Sequence, residues 1–153
     1  MAQAKCGFND VPGGASGLEL LVAHGPTLLV NIGFDPKFQP AIVHPPPVPG
    51  ITDQWALVDT GATESCIDSQ LAFQLGLPVA DKRKVSGVHG SQGVNMHLAQ
   101  VHIPSLGFTI YGLFAGVHLV AGGQTHKALL GRTFLKRFTM VYEGRTGTVT
   151  LSD

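Results

Sequence analysis

Apolar residues in this chain come in short runs, and almost every run is closed by glycine or proline, a pattern that interrupts helices and leaves strands joined by turns. Residues 18–22 and 27–34 form two such runs split by His24-Gly25-Pro26, which predicts a pair of hairpin strands. Trp55-Ala56-Leu57-Val58 is a third, ending at Asp59-Thr60-Gly61-Ala62, where glycine permits a sharp turn after a buried strand. Residues 82–101 place Gly87, Gly90 and Gly93 between strand-like flanks and read as a long hairpin with a glycine-rich tip. Strands are also expected at 108–114 and 117–120, and a final hairpin joins 139–142 to 148–151. One short helix, capped by Asp68, runs through Leu71, Ala72 and Leu75 to the stop signal Gly76-Leu77-Pro78, and a helical turn covers 133–137. The sum is an all-β barrel or sandwich with one or two short helices.

The length of 153 residues fits one domain. Residues 1–17, rich in Gly, Ala and Ser without periodicity, are expected to form a flexible N-terminal segment, and 18–153 the folded domain. Pro36, Pro40, Pro45, Pro46, Pro47 and Pro49 make 35–50 an extended insertion, because repeated prolines remove ladder donors. Ten basic residues balance ten acidic ones, so no positive field exists to hold nucleic acid or an anionic membrane surface, and a peptide or small molecule is the expected partner. Cys6 and Cys66 stand in no metal-ligand spacing, and a chain of this size needs no disulfide framework, which points to a reducing compartment. With no apolar leader region after Met1 and no stretch approaching the ~18 apolar residues of a membrane span, a cytoplasmic, soluble protein is expected.

Asp-Thr-Gly alone is ordinary turn chemistry. Its setting is more demanding: an apolar strand delivers Asp59, Gly61 lets the backbone turn closely, and the small Ala62 follows where a bulky residue would crowd a site. The seven histidines, at 24, 44, 89, 97, 102, 118 and 126, form no paired metal spacing, and structural or exposed roles are expected for them. Ser65 and Cys66 have no neighbouring base in sequence to make either a nucleophile, and Cys66 is expected to be a small buried residue. Gly87, Gly90 and Gly93 lack the Lys-Ser/Thr ending and following helix of a phosphate cradle. Trp55 is expected to pack in the core or beneath the insertion.

Three segments in order resemble the retropepsin-like aspartic proteases, which include the retroviral enzymes and their cellular and bacterial relatives. Leu57-Val58-Asp59-Thr60-Gly61-Ala62 resembles the catalytic motif, Ser86-Gly87-Val88-His89-Gly90-Ser91-Gln92-Gly93 the flap, and Leu129-Leu130-Gly131-Arg132 the signature before the C-terminal helix. The resemblance implies a single-domain acid protease barrel with its active site at a homodimer interface, because this chain has one Asp-Thr-Gly loop where two-domain aspartic proteases have two. It implies Asp59, Thr60 and Gly61 as catalytic residues. Ala62, Gly87, Val88, His89, Gly90, Leu129, Leu130 and also Val58 would meet substrate, and Gly131 and Arg132 would have structural or dimer roles. Neither metal nor cofactor is implied. Two Asp59 carboxylates a few Å apart would share one proton, the ionised one activating water and the protonated one donating to the peptide carbonyl. Thr60 would bond across the twofold axis, and terminal segments, 148–151 and 18–22, would interleave at the interface. Ala62 replaces the hydroxyl residue of pepsin-like enzymes, removing a hydrogen bond that favours the ionised aspartate, so a milder pH optimum is expected.

Two positions depart from the family pattern. Thr63 stands where the retroviral enzymes have an Asp paired with the Arg of the Gly-Arg signature, and Glu64 follows it. The 35–50 insertion replaces a short turn. Three functional readings follow from the resemblance: an endopeptidase favouring apolar residues around the scissile bond, a catalytically silent peptide-binding or assembly module on the same fold, and a precursor that cuts itself within 1–17.

Overall fold

Leu28, Val30 and Ile32 turn to one side of their strand and are buried, while Leu29 between them is exposed, the period of two that sets the inside of a barrel. In the computed structural model, which describes residues 2–39, 50–87 and 90–153, this strand belongs to a closed ring. The elements in chain order are β1 (Gln3–Lys5), α1 (Gly17–His24), β2 (Thr27–Gly33), β3 (Gly50–Val58), β4 (Cys66–Asp68), α2 (Ser69–Gln74), β5 (Val79–Gly87), β6 (Gly90–Ile103), β7 (Phe108–Val117), β8 (Ala128–Leu130), α3 (Arg132–Leu135), β9 (Thr139–Glu143) and β10 (Thr148–Ser152). The expected all-β barrel with short helices is what forms.

Six strands close the barrel in the order β2-β3-β8-β4-β7-β6, with β6 returning to pair with β2. Two of the contacts are parallel, β3 with β8 and β4 with β7, and both lie beside the turn that follows β3. The long β6 serves three neighbours: it pairs with β5 from Gly90 to His97, with β7 from Met96 to Ile103, and with β2 through Gln100 to His102. β5 stands at the end of the strand order with a free outer edge, where Lys82, Arg83 and Lys84 discourage pairing with another chain. The core holds Val30, Ile32, Ala56, Ile67, Val101, Ile103, Phe114 and Leu130, all buried.

Several expectations are corrected. Residues 18–22 form no strand; they lie in α1, whose start is capped by the Ser16 hydroxyl accepting from the Glu19 amide at 3.1 Å and whose end is closed by Gly25 at φ 72°. Residues 1–17 carry no strand signal, yet β1 pairs with β10 in register Ala4 to Leu151, and β10 pairs with β9 in a three-stranded sheet. Cys6 continues that pairing, its amide donating to the Val149 carbonyl at 2.9 Å, and is fully buried, so its thiol is pushed up to about 11. The strand expected at 117–120 stops at Val117, because residues 119–123 turn back on themselves through bonds such as Gly122 N–H to Leu119 O at 3.1 Å. The expected helix is α2, with Asp68 Oδ2 accepting from the Leu71 amide at 3.1 Å. The greater part of the proline-rich insertion, residues 40–49, lies outside the described residues; its start is pinned by Gln100, a buried amide that accepts from Asp35 N–H at 3.1 Å and donates to Asp35 O at 2.8 Å.

Candidate active site

Asp59 follows β3 directly, and its backbone N–H donates to the Leu130 carbonyl at 2.9 Å, extending the parallel β3–β8 pairing by one residue. This fixes where the strand ends and the turn begins. Within the turn the carboxylate folds back: Asp59 Oδ1 accepts from the Gly61 N–H at 2.8 Å. That bond holds the carboxylate in one orientation. Asp59 is half-buried, while Thr60 and Gly61 are exposed, so the loop presents its carboxylate at the surface of the chain.

The segment after β8 braces the loop from behind. Arg132 N–H donates to Ala62 O at 2.8 Å and Thr133 N–H to Thr63 O at 3.0 Å. The Arg132 side chain donates from one terminal nitrogen to Thr60 O at 2.7 Å and from the other to Thr63 Oγ1 at 3.0 Å. The buried Ser65 hydroxyl accepts from Gly131 N–H at 3.1 Å. Gly131 has to be glycine: a Cβ there would stand 2.6 Å from Glu64 O and 2.9 Å from Ala62 O, both backbone atoms that cannot swing aside. The resemblance left the partner of Arg132 open once Thr63 replaced the familiar Asp; here a carbonyl and a hydroxyl take the two donors.

The structure sorts the expected substrate-contacting residues by strand parity. Leu130 and Val58 point into the barrel core, with Leu130 0% exposed, which corrects their assignment to the cleft. Their neighbours Leu129 and Leu57 are half-buried and lie side by side in register. Leu57 shares the face of Asp59 because it lies two residues before it on the strand, a signal the sequence already held. Gly87 and Gly90 face each other across the β5–β6 hairpin; Val88 and His89 lie outside the described residues. Ala62 is half-buried in the loop itself.

Cys66, at the start of β4, belongs to this neighbourhood more closely than its sequence context indicated. Its thiol is half-buried and pushed up to about 11, by burial first and then by the negative charges of Asp59 and Glu64. A thiol held in its neutral form is an apolar neighbour, not a nucleophile. Trp55 packs against the rings of Phe8, His24 and His126 with centroids 6.0, 5.2 and 5.7 Å away, on the side of β3 that α1 covers. Among the described residues no three His, Cys, Asp or Glu side chains are grouped as ligands for a metal ion.

No curated protein matches the chain. The gag-polyprotein putative aspartyl protease model matches residues 52–137, more than half of the 153 residues. That stretch opens within β3 and closes just past α3, so it holds the Asp59 loop and the Gly131-Arg132 brace together, and the chain belongs to this family of retropepsin-like aspartyl proteases.

Proposed function

We propose that the protein is an aspartic endopeptidase active as a homodimer, in which two Asp59 residues meet across a twofold axis. The observation that carries this reading is the fixed Asp59 carboxylate, held by Gly61 N–H at 2.8 Å in a half-buried, surface-facing loop. One such carboxylate is half of a general acid/base pair, and a second copy of the chain supplies the other half with no new residue types.

In the dimer the two carboxylates share a proton, because like charges a few Å apart do not both ionise readily. The ionised one takes a proton from the attacking water, and the protonated one donates to the carbonyl oxygen of the scissile bond. Thr60, exposed at the loop tip, is positioned by the Arg132 bond to its carbonyl and reaches across the axis. The substrate is an extended peptide laid between the loops and the β5–β6 hairpins through main-chain hydrogen bonds. Leu57 and Leu129, the half-buried leucines beside Asp59, favour apolar side chains next to the scissile bond. Activity at milder pH than pepsin's is expected from Ala62, which offers the carboxylate no side-chain hydrogen bond.

The test is digestion of a diverse peptide mixture between pH 4 and 8 by the wild type and by Asp59→Asn, with products read by mass spectrometry. Cleavage by the wild type alone, with apolar residues flanking the cut, is the expected result. Dimerisation of both proteins with cleavage by neither would move the reading to a peptide-binding module on this fold.

A further inference from the structure

A second concavity lies away from the Asp59 loop, between α2 and the part of β6 that forms the base of the hairpin. It has a volume of about 690 Å³, and neither Asp59, Thr60 nor Gly61 contributes to its lining. This size falls in the range of small-molecule sites, which are mostly apolar and fixed by a few converging polar groups. We propose that this cavity binds a small aromatic alcohol, whose hydroxyl donates a hydrogen bond to His97 Nε2 while its rings lie against Phe73, Leu77 and Val79.

His97 is the polar anchor. Its ring is only 6% exposed, and its Nδ1 lies 3.2 Å from the Leu77 carbonyl oxygen. A carbonyl only accepts, so Nδ1 carries the proton, and the neutral ring then presents Nε2 as a bare acceptor. Among the described residues no protein donor is bonded to Nε2, which leaves it as an acceptor for a ligand hydroxyl. Gly116 lies against the same ring and also lines the cavity; a Cβ there would crowd the ring edge, 3.0 Å from Nε2 and 3.1 Å from Cδ2.

The apolar wall is equally specific. Phe73 is 84% exposed although it lies on α2 at the cavity rim, and Val79 opposite it is 52% exposed. These are large apolar surfaces lining one concavity together with His97; of the other polar residues there, Ser69 and His118 are bonded to each other at 2.8 Å. Two fused rings with one hydroxyl satisfy both features. An anion is disfavoured, because in this tautomer Nε2 offers a lone pair and no proton.

The cavity also bears on the hairpin. Gly93, Val94 and Asn95, in the hairpin part of β6, line the cavity together with residues of α2, so a bound ring system tethers the hairpin base to the barrel. An effect of the ligand on KM for peptide rests on the protease reading above; binding itself does not.

The probe is 2-naphthol, compared with 2-methoxynaphthalene, which keeps the rings and loses the donor. Each is titrated into the full chain labelled with 15N-histidine, in the wild type and in Asp59→Asn, so that binding is read whether or not the protein cleaves peptides. Saturable binding of 2-naphthol at least about tenfold tighter than its methyl ether is expected, with a shift of the His97 Nε2 resonance in both proteins. Gly116→Ala, which puts a methyl group against Nε2, is expected to weaken binding at least about tenfold; Phe73→Ser, at an exposed position that leaves the fold intact, should weaken it severalfold. Equal affinity for the two probes, saturation without movement of the His97 signal, or no binding up to the solubility limit of 2-naphthol would each overturn the assignment.

Discussion

The guanidinium of Arg132 holds the carbonyl oxygen of Thr60 at 2.7 Å, across a sequence separation of 72 residues. The Asp59 loop is thereby shaped by a residue distant in sequence that the β3–β8 pairing brings beside it, and Thr63 Oγ1 takes the second arm of the fork at 3.0 Å. Both acceptors are neutral, and among the described residues the guanidinium has no carboxylate partner; the ion pair there joins Arg83 to Asp81.

Arg132→Lys keeps the charge and loses the two-armed geometry. It should lower kcat/KM for peptide about tenfold or more while shifting the urea midpoint only slightly, since one of two charge-assisted bonds to the loop is lost. Thr63→Asp should act in the opposite sense on stability, adding ~0.5 kcal/mol by placing a carboxylate beside the guanidinium, discounted for its exposure. Urea unfolding of the two variants checks both; a Thr63→Asp protein less stable than the wild type would count against the proposed fork.

Gly131→Ala drives a Cβ to 2.6 Å from Glu64 O. The neighbour is backbone, so the loop between Ala62 and Glu64 has to move, and a loss of ~2 kcal/mol or more is expected from overpacking. Denaturant unfolding gives the stability, and loss of cleavage out of proportion to the loss of folded protein shows that the displaced segment is the catalytic loop.

Cys66 reports on Asp59. With its thiol raised from 9.0 to about 11, the thiolate is about a hundredfold scarcer at pH 7.5 than in an unperturbed thiol, and alkylation by iodoacetamide should be correspondingly slow. Because the Asp59 charge is one of the causes, Asp59→Asn should speed alkylation, with Cys6 as an internal reference, itself buried and raised to about 11 by burial alone. An unchanged Cys66 rate in Asp59→Asn would separate the two residues electrostatically.

His126 sets a pH dependence of stability. Its pKa is lowered from 6.5, by burial first and then by the His24 charge, and its ring is packed against Trp55 and bonded to the Thr27 hydroxyl at 2.8 Å. The unfolded chain therefore binds the proton more readily than the folded one. Its contribution is fully present above about pH 6.5 and is lost as pH falls from there toward the depressed folded value. The urea midpoint of the wild type should fall between pH 7.5 and 5.5 more steeply than that of His126→Gln; equal slopes would remove His126 from the account.

Much of this was legible in the sequence because its cues are local. Asp68 before Leu71, glycines at the hairpin tip, and an apolar run ending at Asp59 each specify their element within a few residues. Residues 18–22 were misread because a short run with four apolar residues around Glu19 fits strand or helix; the deciding signals lay on either side, in Ser16 three residues before Glu19 and in Gly25 at the stop. β1 was invisible for a different reason. Three residues, Gln3–Lys5, carry no periodicity of their own and are a strand only because β10 lies beside them.

At the site, the motif gave Asp59 and its immediate neighbours, and the period of two from Asp59 already favoured Leu57 over Val58. Residue order could not show that Thr60 and Thr63 would receive the two arms of Arg132, nor that Cys66 would come within electrostatic reach of Asp59. Those contacts depend on the parallel pairings of β3 with β8 and β4 with β7, which join segments far apart in the chain.

The most direct test of the central claim is subunit mixing. Wild-type protein at fixed concentration is combined with a fourfold excess of Asp59→Asn, allowed to exchange, and assayed on a peptide it cleaves. If two Asp59 residues form one site, mixed dimers are inactive and activity falls to about one-fifth of the unmixed value, because random pairing leaves about that share of wild-type chains with a wild-type partner. Activity unchanged by the excess would mean that each chain works with its own Asp59 alone, and would contradict the shared site.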